Sequence, residues 1–154
     1  MGRFLAVLLV ISLGFASECS ALTRAQVVTT IDSCTYDLFY FLSDPETHQL
    51  ILQRDTQTRT DVAKLKLRIE QVERKTLSFF NNSTNDQDLQ LKEGLFQYSV
   101  ALLSLNAAFD HPLLSYPRAR GEFKQGFELI FDYKKSIGIA TEQDSTLSVT
   151  SRGW

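Results

Sequence analysis

Apolar residues recur at three- and four-residue steps along most of this chain, the spacing of one buried helix face. The first run spans about Thr23 to Leu42, where Val27, Val28, Ile31, Cys34, Leu38, Phe41 and Leu42 share a stripe. Tyr36, Phe39 and Tyr40 widen the apolar surface beyond it. Thr23 and Gln26 have capping-box spacing, so hydroxyl and amide can each satisfy a free backbone N–H of the other. Ser43-Asp44-Pro45 closes the run, because proline pushes its predecessor out of helical geometry. Asp44 and Pro45 then suit the N-cap and first position of a second helix.

Residues 53–61, QRDTQTRTD, hold no apolar side chain. They contain no Gly or Pro either, so the second helix is expected to continue through them as an exposed stretch. A break there would raise the helix count from four to five. From Val62 onward, Leu65, Ile69, Val72, Thr76 and Phe79 restore the stripe, with Lys64, Lys66, Arg68, Glu70, Glu73 and Arg74 opposite. That charged side reads as solvated surface, with Glu70 and Arg74 spaced as an i,i+4 pair.

Residues 81–86, NNSTND, form the clearest loop. Two overlapping sequons make Asn81 and Asn82 glycosylation candidates. A third helix is expected from about Asp86 to Phe109, and its apolar residues nearly encircle it. Such a helix is central in a core, or buries one side in the core and another in a partner. Asp110-His111-Pro112 ends it, Leu113, Leu114 and Tyr116 form a connector, and Pro117 starts a fourth helix capped by Gly138. Residues 141–154 are rich in Ser and Thr and read as a mobile tail. Short joints favour antiparallel neighbours, so the expected fold is all-α, an up-down-up-down four-helix bundle over residues 22–140.

Residues 1–21 have a different character. Arg3, an apolar run over residues 4–16 and a small-residue exit match a secretory signal peptide. The run is too short to span a bilayer, and no other segment is apolar enough, so no membrane span is expected. The protein is expected to be secreted and extracellular. Cleavage after Ala16 would keep Cys19, which could pair with Cys34. Cleavage after Ala21 would leave Cys34 as a lone thiol, either buried or linked between chains.

The chain has 154 residues, 16 Lys+Arg against 18 Asp+Glu, and a net charge of −2. That balance offers little counterion release, which argues against nucleic acid as a partner. His48 and His111 are the two histidines, and neither lies in a catalytic motif. No cysteine–histidine spacing suits zinc, no glycine-rich loop suits phosphate, and no acidic loop suits calcium. No catalytic, cofactor or metal residue is assigned, and no enzymatic function is expected.

Aromatic content stands out, with 11 Phe and 5 Tyr. Rings fill cores, and they also dominate interfaces. Tyr36, Phe39, Tyr40, Phe96, Tyr98 and Tyr133 fall beside the main core stripes and are the candidate partner or ligand surface. Two functions fit. One is a secreted binding protein acting on an extracellular macromolecule, an architecture shared with small salivary or venom proteins that block host defence enzymes. The other is an extracellular carrier of a lipid or other apolar small molecule in an aromatic-lined cavity.

Overall fold

The computed structural model describes residues 22–154; the expected signal peptide and Cys19 lie outside the described residues. The chain is all-helical there, with six helices and no strand among the described residues. They are α1 (Arg24–Ser43), α2 (Pro45–Leu52), α3 (Thr56–Asn82), α4 (Asp86–Ala107), α5 (Pro112–Ser136) and α6 (Glu142–Arg152).

Local chemistry sets the boundaries. The Thr23 capping box forms, with the Thr23 N–H donating to Gln26 Oε1 at 2.8 Å and the Gln26 N–H to Thr23 Oγ1 at 3.3 Å. Asp44 separates α1 from α2 and accepts from the Glu46 and Thr47 amides at 3.1 and 3.2 Å.

The expected continuous second helix is broken. Gln53, Arg54 and Asp55 separate α2 from α3, and Arg54 takes φ of 56°. The Arg54 amide donates to Ile51 O and the Asp55 amide to Leu50 O, which closes α2 in a Schellman turn. Asp55 then caps α3 by accepting from the Thr58 amide at 2.6 Å. The turn normally signalled by glycine is made by an arginine, so the absence of Gly and Pro misleads.

Two further expectations are corrected. The fourth long helix begins at Pro112, not Pro117; Leu113, Leu114 and Tyr116 lie in its first turns, and Pro117 sits inside it without donating a backbone hydrogen bond. Most of residues 141–154, expected as a mobile tail, is helical in the structure. Thr141 and Asp144 form a capping box that starts α6, and Leu147 enters the core. Gly138, at φ of 73°, ends α5 as expected, with the Gly138 and Ile139 amides donating to Lys135 O and Lys134 O.

One buried cluster receives side chains from all six helices, among them Leu38, Ile51, Ile69, Leu102, Phe123 and Leu147. Cross-helix pairs give the order. Along α1 and α5, Lys134 meets Asp32, Phe123 meets Phe39, and the Tyr116 hydroxyl donates to Leu42 O at 2.9 Å. Arg68 of α3 pairs with Asp37 of α1. Ser99 of α4 donates to Glu73 of α3 at 2.6 Å, and Ser104 of α4 to Glu122 of α5 at 2.5 Å. The expected Glu70–Arg74 ion pair is replaced: Arg74 Nε donates to the Glu70 backbone carbonyl, and the Glu70 carboxylate faces Lys66 at 3.8 Å.

Candidate functional site

α4 has two apolar faces. Leu91, Leu95, Tyr98, Leu102 and Leu105 are buried. Leu89, Phe96 and Leu103 stay 45%, 55% and 61% exposed. Seven residues make nearly two helical turns, so these three side chains fall on one line along the outside of α4. Leu77 of α3, also half-exposed, joins Phe96 across a groove of about 230 Å³ whose walls include Thr76, Phe80 and Leu95. Glu73 and Lys92 supply the polar groups of the groove. An apolar stripe with a polar margin is suited to burying surface against a partner.

The six aromatic candidates do not form one site. Tyr98 and Tyr133 are buried, and so is Phe39. The Tyr98 hydroxyl meets Thr35 Oγ1 at 3.2 Å, and the Tyr98 ring stacks on Phe123 at 5.1 Å. Phe39, Phe123 and Trp154 form a mutually packed trio of rings. Tyr36 is half-buried and its hydroxyl donates to Asp144 at 3.3 Å. Tyr40 is 58% exposed, with its ring edge-on to Phe39. Phe96 alone joins the α4 stripe. The seven-residue spacing of Leu89, Phe96 and Leu103 is the sequence signal for this stripe, and aromatic content alone does not reveal it.

Two buried ionic clusters fix the frame behind the stripe. Asp88 accepts from Arg24 Nε and Nη2 at 3.0 and 3.1 Å, from Ser83 Oγ at 2.6 Å and from the Tyr133 hydroxyl at 2.8 Å. Burial pushes the Asp88 carboxyl up, but the bonds from Arg24, Ser83 and Tyr133 outweigh it and hold it below the usual range. Burial and the adjacent carboxylate push the Tyr133 phenol up to about 12. In the second cluster the buried Lys134 ammonium bonds Asp144 Oδ1 at 2.7 Å and Asp32 Oδ2 at 2.8 Å. Asp144 Oδ2 also accepts from the Thr141 amide and hydroxyl. These partners offset burial and lower Asp144, whereas burial dominates at the flanking Asp32 and raises it. Every member is engaged with another, which marks the clusters as structural.

Cys34 is buried, and its thiol donates to Ile31 O at 3.0 Å. Burial pushes it up to about 12, so at neutral pH it is an inert thiol rather than a nucleophile. Asn81 and Asn82 are both exposed on the last turn of α3, the chain entering the loop only at Ser83. His111 is the N-cap of α5 with no side-chain cap bond, and His48 stacks on Tyr116 at 4.4 Å. Among the described residues no group of three or more His, Cys, Asp or Glu side chains could hold a metal ion, and no helix is long and apolar enough to cross a membrane. Comparison with protein-family models, with curated proteins and with solved structures finds no match.

Proposed function

We propose that this chain is a secreted, non-enzymatic helical binding protein of the inhibitor or effector type, which acts on an extracellular protein through the outer face of α4. The exposed line of Leu89, Phe96 and Leu103, flanked by Leu77, carries this reading. These side chains are already about half buried, so completing the burial of each contributes roughly half of the ~1.5–3 kcal/mol of a whole apolar side chain, and the line together can help anchor a complex. The leader-like residues 1–21 support secretion, and the exposed sequon residues Asn81 and Asn82 suit a glycoprotein.

The scaffold reading is an up-down-up-down bundle of α1, α3, α4 and α5, with α2 and α6 closing its sides. It is supported by the falling residue numbers on α5 that meet rising ones on α1, from Asp32–Lys134 to Leu42–Tyr116. A carrier of apolar small molecules draws less support, because Phe39, Tyr98 and Tyr133 pack against protein rather than around a cavity.

The test is site-specific photo-crosslinking in the fluid into which the protein is secreted. A crosslinker at position 96 should give one adduct that excess unlabelled protein competes away and that L89S/L103S abolishes. A crosslinker at position 64, on the charged side of α3, should not give it. Equal adducts from both positions would overturn the assignment of the face.

A further inference from the structure

A second cleft, sharing no residue with the α4 groove, lies where α2, α5 and Trp154 meet. His48, Tyr116, Pro117, Arg120, Lys124 and Trp154 line a cleft of about 370 Å³. One of its cations, Arg120, is held by rings. The His48 and Tyr116 rings stack at 4.4 Å with 7° between planes. The Arg120 guanidinium lies 5.9 Å from the Tyr116 centroid and 4.5 Å from that of Trp154. Trp154 in turn stacks on Phe39 at 5.3 Å, which ties the column to the core.

None of the ion pairs among the described residues uses Arg120, Lys124 or His48. Arg120 Nε is buried with no hydrogen-bond partner. The contrast within α5 is informative, since Arg118 pairs with Glu122 at 2.7 Å and Lys134 is neutralised by two carboxylates. Arg120 and Lys124 are four residues apart on one side of the helix, where like charges oppose each other. Asp44, in the adjoining hollow, is engaged by the α2 cap. Aromatic faces hold a guanidinium in place without neutralising it.

We infer that this cleft is a binding site for a small organic oxyanion, a phosphate monoester or a carboxylate, held by Arg120 and Lys124 with His48 at the wall. An oxyanion accepts from a planar guanidinium and an ammonium together, and it relieves the repulsion between them. The volume falls within the range of small-ligand pockets, roughly 300–1,000 Å³. The site is separate from the α4 stripe and does not depend on it.

Trp154 is the single tryptophan of the chain, so its fluorescence reports the cleft directly. The chain is titrated with phenyl phosphate and, separately, with benzoate at fixed ionic strength, with sodium chloride as the control. A saturable change with either probe is expected, and which probe saturates names the source of the oxyanion. K124Q, which leaves the ring column intact, should weaken binding about tenfold or more, the loss of one charge-assisted contact. R120Q should do the same in calorimetry, and R118Q should leave affinity unchanged. Saturation by neither probe, or saturation that K124Q and R120Q leave untouched, overturns the site.

Discussion

Gly94 and Gly126 face each other where α4 crosses α5: a Cβ on Gly126 would stand 2.6 Å from the Gly94 carbonyl oxygen. A Cβ on Gly94 would stand 2.7 Å from Ile130 Cγ1 and 2.9 Å from Gly126 O. Neither backbone oxygen can rotate away, so an added methyl must separate the two helices. Alanine would raise intrinsic helix stability by about 0.5–1 kcal/mol, and overpacking costs about 1–3 kcal/mol. G126A should therefore be a net destabilisation of about 1–2 kcal/mol. Gly121, on the same helix with nothing within 4 Å of its Cβ position, is the control: G121A should stabilise. Urea midpoints moving the same way for both variants would refute the close-packing role.

Arg54 occupies the left-handed region at the end of α2, where a side chain costs about 1–2 kcal/mol relative to glycine. Its side chain is exposed and makes no ion pair among the described residues. R54G should raise stability by about 1 kcal/mol despite the greater freedom of glycine in the unfolded chain. Thermal unfolding of R54G beside R54A checks it, and a gain for alanine equal to that for glycine would remove backbone conformation as the cause.

These two positions show what was legible in the sequence. The apolar stripes and caps placed α1, α4 and most of α3 and α5, because periodicity and capping are local properties. The break at Arg54 was hidden, because the turn uses a residue with no turn preference. The α6 helix was hidden for a different reason. Its composition is poor in apolar residues, and it is held through Asp144 by Lys134 of α5, which is itself paired with Asp32 of α1. The candidate site was half-legible: a second apolar side of α4 was expected, but whether Phe39, Tyr98 or Phe96 lay on it required the packing of neighbouring helices.

Asp88 couples the fold to acid. Its folded carboxyl is held below the unfolded value, so the stabilisation is present above the unfolded pKa of about 4 and is lost as pH falls through the folded value. D88N should cost about 2 kcal/mol near pH 7 through the lost charge-assisted bonds from Arg24. The gap between variant and wild type should narrow between pH 7 and a medium acidic enough to take the pH below the folded value, where the native carboxyl is itself protonated. A gap that stays constant across urea titrations at both pH values would mean that shape, not charge, sets the role of Asp88.

Asp144 decides whether the last helix stays docked. It caps α6 through Thr141 and joins α6 to Lys134, so one carboxylate serves local and tertiary structure together. Removing its charge leaves Lys134 with Asp32 as its one remaining partner and weakens the link between α6 and the rest. D144N should therefore act locally. Hydrogen exchange of amides 145–152 should quicken, and Trp154 emission should shift to the red as its stack on Phe39 loosens. The amides of α4 and α5 should exchange as before. E142Q, an exposed first-turn substitution, should change neither signal. If D144N instead speeds exchange equally in α4, α5 and α6, the Lys134 cluster belongs to the global core, and α6 is not an independently released segment.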